Sequence, residues 1–212
     1  MESYLKQLTP KELHKMTGIA KAAARLFDEK GFLETSMDDI SAAAKLSKGG
    51  IYHYFSSKNE MLYFISTNFM GLLLKDLDEE LKKIDEDFAK IQFIISRHIE
   101  SYTKYIAEAK TTIHEGHLLP SEYFKIIGEQ ERRYHRIVRN VLSDFFEGQI
   151  SEDQLKVITF ILFGTCNGIY FWYDPKGPMT PKELSGIITD ILCRGLIGYK
   201  TMVKARVKGK NP

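Results

Sequence analysis

The densest run of chemically capable side chains in the sequence is Ser47-Lys48-Gly49-Gly50-Ile51-Tyr52-His53-Tyr54. A hydroxyl and an ammonium at the start of a short helix, beside free backbone N–H groups at the positive end of the helix dipole, suit a phosphate. Gly49 and Gly50 lack side chains and let the backbone approach a partner closely. Tyr52, His53 and Tyr54 project rings and hydrogen-bonding groups, while Ile51 and Phe55, four apart, face a core. That chemistry is non-covalent recognition of a polyanion. The alternative makes Tyr52 and Tyr54 core aromatics and the glycines a turn, which leaves the clustering of polar groups without a reason.

Weaker candidates lie farther along. Arg132, Arg133, His135, Arg136 and Arg139 could receive a nucleotide phosphate or pyrophosphate; the alternative is a solvated helix face balanced by Glu129 and Glu131. His98 interrupts an apolar stripe that continues to Tyr102, as a polar group facing a cavity or as a hydrogen-bonded core histidine. Asn167, Phe171 and Trp172 share a later apolar helix and complete the candidate ligand set. His114 and His117, beside Glu115, have a spacing compatible with a metal, but no further ligand cluster accompanies them. No Gly-rich phosphate loop, Ser nucleophile elbow or His-Glu protease motif occurs, so the sequence gives no enzyme and calls for no cofactor.

The elements that position these groups are marked by capping boxes, in which a Ser or Thr and the acid or amide three residues later satisfy each other's backbone N–H groups. Thr9/Glu12, with Pro10, opens a helix through Leu13, Met16, Ala20, Ala23 and Phe27 that Gly31 ends. Ser36/Asp39 opens a short helix through Ile40 and Ala44, and Lys45-Leu46 turns the chain. Ser47 then caps a second short helix to about Phe55, although each glycine weakens it by up to ~1 kcal/mol relative to Ala. Ser57/Glu60 opens a long helix reaching about Ile84. An amphipathic helix runs from Phe88 through Tyr102, and the stretch 111–120 is broken by Gly116 and Pro120. Ser121 to Glu147 reads as another long helix, ended by Gly148. Ser151/Gln154 starts the helix to Trp172, and Thr180/Glu183 the last, to about Tyr199. The pentapeptide TPKEL occurs at both 9–13 and 180–184, a repeated helix start and not a duplicated domain. With no alternating strand pattern, the expected fold is all-α with roughly nine helices.

Bulk charge gives no argument for nucleic acid: 30 basic against 28 acidic residues leave +2, and residues 1–60 carry 9 Lys/Arg against 8 Asp/Glu. Any DNA-binding surface must come from placement. Basic residues gather after Tyr199, at Lys200, Lys204, Arg206, Lys208 and Lys210, and read as a frayed, solvated end. Two cysteines, Cys166 and Cys193, lie in apolar helical patterns and suggest neither disulfides nor thiolate metal sites; a cytoplasmic setting is expected. The uncharged run 158–173 falls short of the ~20 apolar residues that span a bilayer and reads as a buried helix.

The segment Thr35-Ser36-Met37-Asp38-Asp39-Ile40, then Ala43-Ala44, then Leu46 to Phe55, and Lys58, closely resembles the DNA-binding region of the TetR family of repressors over about residues 9–65. The resemblance implies a helix-turn-helix domain at 1–57 and a ligand-binding and dimerisation domain at 58–202; the accumulated Lys and Arg mark a basic tail at 203–212. It implies that Ser36, Ser47, Lys48, Gly49, Tyr52, His53, Tyr54 and Lys58 contact operator DNA, mostly its phosphates. It further implies a homodimer formed through the last two helices, consistent with the apolar circumference of the last helix and with Gly164 and Gly168 spaced for close helix contact. Trp172-Tyr173 followed by Asp174-Pro175-Lys176-Gly177-Pro178 resembles a subgroup that responds to acyl-CoA thioesters and regulates fatty acid, steroid or aromatic acid degradation. Where its members carry an Arg beside the aromatic pair, this sequence has Phe171 and Asp174. The expected function is a repressor released from a palindromic operator by a small molecule such as an acyl-CoA, with no membrane role. The alternatives are a drug-sensing repressor and a ligand-independent DNA-binding regulator.

Overall fold

The computed structural model describes residues 9–207, which form eleven α-helical segments, one 3-10 turn and no strand. Lys208 and Lys210 lie outside the described residues. Two helix breaks that the spacing does not announce account for the excess over nine. The helices are α1 (Pro10–Lys30), α2 (Met37–Ala44), α3 (Lys48–Tyr52), α4 (Lys58–Leu74), α5 (Leu77–Lys82), α6 (Asp87–Lys104), α7 (Ile106–Glu115), α8 (Ser121–Phe145), α9 (Glu152–Asn167), α10 (Ile169–Trp172) and α11 (Pro181–Val207).

The caps behave as the sequence reads, with one variation. Thr9/Glu12, Ser36/Asp39 and Ser151/Gln154 form full capping boxes, and Thr180 exchanges the same bonds with Glu183. At α4 the Ser57 hydroxyl accepts from Glu60 N–H at 3.2 Å, but the Glu60 carboxylate reaches Ser56, whose N–H donates at 2.6 Å.

By contacts the described chain divides into two compact units, residues 9–70 with 107–129, and residues 71–106 with 130–207. This differs from a single cut after residue 57, because α7 and most of α4 group with the N-terminal helices. In the first unit α1 buries Met16, Ile19, Ala23 and Phe27, and the Phe27 ring meets Phe32 edge-on at 5.0 Å. Buried Thr35 donates its hydroxyl to Gly31 O at 2.7 Å, which fixes the entry to α2. α7 docks on α1: Thr111 Oγ1 donates to Ala24 O at 3.2 Å and Lys110 pairs with Asp28 at 3.3 Å. The helix of α7 extends unbroken to Glu115 before Gly116 interrupts it, so only the second half of the expected broken stretch is irregular.

In the second unit α6 is the hub, with α9, α10 and α11 packed against it and Ile91, Ile94, Ile95 and Ile99 in its core. The long helix expected to reach Ile84 breaks at Asp76, whose φ is +54°. Arg97 compensates from α6, donating to the freed carbonyls of Leu72 at 3.1 Å and Leu73 at 3.3 Å, and to Lys75 O. Neither Lys75 nor Asp76 is a breaker by residue type, so the break is a tertiary effect. The other break is at Gly168, where a Cβ would stand 2.9 Å from Gly164 O. Gly168 is thus required by its own chain, not by a neighbouring helix as its spacing from Gly164 suggests.

Two further expectations need correction. α11 does not fray after Tyr199: it continues to Val207, and Lys200 and Lys204 meet Glu147 at 3.1 and 2.7 Å. Nor is the 158–173 run buried all round. α9 buries Leu155, Thr159, Leu162 and Cys166, but Val157, Phe160 and Ile161 are each more than half exposed. By length and composition Glu152–Trp172 would pass as membrane-crossing, but its break at Gly168 and its one-sided packing on α6 describe a helix with a core face and an uncovered face.

Candidate nucleic-acid interface and effector site

α2 and α3 are joined by a turn in which Lys45 is left-handed at φ +53°. Leu46 N–H donates to Ser41 O and Lys45 N–H to Ala42 O, the paired bonds of a Schellman closure made without glycine. The turn delivers Ser47 as the cap of α3, its Oγ accepting from Gly50 N–H at 3.1 Å. Ile51 and Phe55 are fully buried, and Tyr52 is 47% exposed. His53 is exposed and Tyr54 half-buried, their rings edge-on at 4.8 Å. The core-aromatic alternative therefore does not hold for Tyr52.

The two glycines differ. A Cβ at Gly50 would lie 3.3 Å from Ser47 Oγ and 3.7 Å from Leu46 Cβ, so its absence protects the cap. A Cβ at Gly49 would meet nothing within 4 Å, so the chain's own packing supplies no reason for a glycine there. Lys48 is exposed and pairs with Asp38, which raises its pKa. Ser36 holds the Asp39 carboxyl down to about 2 through its hydroxyl and backbone N–H. Lys58 is differently engaged from its expected phosphate role: its ammonium donates to Phe32 O at 2.6 Å and Leu33 O at 3.2 Å, and sits over the Phe32 ring.

In the second unit the candidate ligand residues separate into groups. His98 is 1% exposed; its Nε2 lies 2.9 Å from Asn167 Oδ1 and its Nδ1 3.1 Å from Tyr134 Oη. The Tyr102 ring stacks on it at 4.3 Å. Burial lowers the His98 pKa to about 4, against the opposing bond to Asn167. The ring is neutral, with Nε2–H donating to Asn167 and Nδ1 accepting from the Tyr134 hydroxyl. Burial likewise raises the pKa of Tyr102 and Tyr134.

The structure does not bring the other candidates to this cluster. Arg132, Arg133 and Arg136 are exposed; Arg133 pairs with Asp78 at 2.7 Å, and Arg139 pairs with Glu152. Phe171 and Trp172 are 74% and 62% exposed. His114 and His117 are exposed, and among the described residues no group of three His, Cys, Asp or Glu is placed to hold a metal ion.

Comparison with known proteins decides the family. Residues 86–196 match the family model described as "Tetracyclin repressor-like, C-terminal domain", and residues 19–63 match "Bacterial regulatory proteins, tetR family". The chain belongs to the TetR family of transcriptional regulators. Among the relatives of this TetR-family protein, the "HTH-type transcriptional repressor KstR2" of Mycobacterium tuberculosis is 24% identical over 84% of the chain and 90% of the relative. The "Fatty acid metabolism regulator protein" of Bacillus subtilis is 25% identical over 91% and 98%. The fold is shared by AibR, solved "in complex with isovaleryl coenzyme A and operator DNA", with a TM-score of 0.72 at 24% identity over 84% of this chain and 97% of that one. This TetR-family chain is a repressor-type transcriptional regulator and not an enzyme.

Sequence reasoning missed Tyr134. It sits between Arg133 and His135, and the charged neighbours concealed that it lies seven residues from Ile127 and four from Val138, both buried on the same helix face.

Proposed function

We propose that this TetR-family protein represses transcription by binding a palindromic operator as a homodimer and is released by a small molecule, an acyl-CoA thioester. The observation that carries the DNA reading is α3: a capped helix with exposed Lys48, Tyr52 and His53 and a glycine, Gly49, whose missing side chain nothing in the chain requires. Ser36, Ser47, Lys48, Gly49, Tyr52, His53 and Tyr54 form the proposed contact surface, and Lys58 anchors the loop behind it.

The uncovered apolar faces support the dimer. Val157, Ile158 and Ile161 of α9 with Ile191, Leu192 and Leu196 of α11 line a groove of about 480 Å3, which a second copy would cover through the same two helices. Gly164, with nothing within 4 Å of an added Cβ, leaves that face open to close approach.

Three observations favour the effector class: the isovaleryl coenzyme A bound to AibR, the B. subtilis regulator's link by name to fatty acid metabolism, and the neutral His98–Tyr134–Asn167 cluster among aromatic rings, which suits an uncharged acyl group better than a cationic drug. The exposed Arg132, Arg133 and Arg136 are the proposed receivers of the thioester's phosphates. Release is a population shift: effector favours a state in which the two reading heads are wrongly spaced, and operator affinity falls by its differential affinity for the two states. The protein acts in the cytoplasm, where its operator is.

The test is operator binding on DNA from upstream of the protein's own gene, with and without a panel of acyl-CoA thioesters and the matching free acids. Release by thioesters alone is expected; binding without release would discard the effector class and favour a ligand-independent or drug-sensing regulator.

A further inference from the structure

Asp38, an exposed residue in the second position of α2, has no role in the cap of that helix, which Asp39 completes with Ser36. Its carboxylate instead lies across the turn on Lys48, with Nζ 2.8 Å from Oδ1 and 3.1 Å from Oδ2. The side chains are 69% and 59% exposed, and ion pairs that open to water contribute little to stability. The pair therefore has no structural purpose of weight, and it sets an anion on the cation best placed to meet a DNA phosphate at the start of α3.

We propose that Asp38 is a specificity-determining residue that suppresses sequence-independent docking on DNA by masking Lys48. The inference rests on the reading of α3 as the DNA-contacting helix and adds a discriminating role to it. Binding to random duplex is almost wholly phosphate neutralisation. There, Lys48 must leave Asp38, and the freed carboxylate faces phosphates with no cation between them. An ammonium carries three donors, so in one fixed register Lys48 can bridge Asp38 and a phosphate together. Base contacts hold that register on an operator and cannot hold it elsewhere. The carboxylate therefore penalises unregistered encounters more than the registered complex.

The experiment uses the full chain, an operator duplex selected from a random pool by the wild-type protein, and a random duplex of equal length. Affinities are read by fluorescence anisotropy across a series of salt concentrations. Asp38→Asn is expected to tighten binding to random duplex roughly threefold to tenfold at ~0.1 M salt and to steepen its salt slope by about one unit. Operator affinity should move by less than about twofold, so that discrimination falls. Unchanged affinity for random duplex would overturn the proposal, as would equal tightening on both duplexes. Asp38→Ser, which keeps a residue favoured at helix starts, should reproduce the Asn result and guards against a local folding defect. Lys48→Met separates the two layers: it should weaken both duplexes, and if it leaves operator binding intact then the placement of the reading surface itself has failed, and the inference with it.

Discussion

Gly49→Ala isolates the DNA-facing surface from the fold. Gly49 is the second residue of a five-residue helix, and a Cβ built on it meets nothing within 4 Å. Alanine there removes a glycine's helix penalty of up to ~1 kcal/mol; for a chain of this size that raises Tm by about 2–4 °C at most. In the free protein the substitution should therefore be neutral to stabilising. With α3 as the proposed reading helix, the same methyl would stand where backbone and phosphate come together, and losing one charge-assisted hydrogen bond of about 1.5–3 kcal/mol should weaken operator binding roughly tenfold to a hundredfold. Thermal melting and anisotropy titration on one preparation give both numbers. Gly50→Ala is the control of opposite sign: its Cβ would crowd Ser47 Oγ at 3.3 Å, and disturbing an N-cap lowers stability by about 0.5–2 kcal/mol. A Gly49→Ala protein that melts at or above wild type and binds operator with unchanged Kd would refute the reasoning.

Three other outcomes are expected. Lys58→Met should lower stability by about 1–2 kcal/mol through the Phe32 and Leu33 carbonyls left unpaired, while reducing the salt slope of operator binding by well under one phosphate; a full unit lost without destabilisation would return Lys58 to the DNA surface. His98 has a folded pKa of about 4 against an ordinary 6.5, so between these values the unfolded chain binds the proton more tightly. Stability should therefore be complete above about pH 6.5 and decline toward about pH 4, by a total of order 3 kcal/mol; chemical denaturation at about pH 5 and pH 7.5 should show about 2 kcal/mol of this loss in wild type and a smaller one in His98→Gln. Finally, Ile161→Asp combined with Ile191→Asp should leave the monomer folded, since both side chains are more than half exposed, and convert a dimer to monomer in sedimentation; an unchanged dimer would move the interface off α9 and α11.

The sequence made the helices and the reading head legible because their signals are local. Capping boxes, the Gly31 stop and the spacing of Ile51 and Phe55 depend on residues within a turn or two of each other. What escaped was tertiary. The break at Asp76 depends on Arg97 arriving from another helix, and the Lys58 clamp on carbonyls 25 and 26 residues away. Asn167 and His98 could each be named as polar residues in apolar company, but their pairing spans 69 residues and runs beside a tyrosine that the sequence reading passed over. The arginines of α8 stand out by composition alone, and composition does not distinguish a ligand's receiver from a solvated face.

The most direct test of the central claim is hydroxyl-radical footprinting of the purified protein on the DNA upstream of its gene, with and without acyl-CoA. Two symmetric protected patches, about one helical turn or a multiple apart and both erased by thioester but not by free acid, are the predicted result. A single unsymmetric patch, or a footprint that thioester leaves intact, would contradict the account of an effector-released dimer.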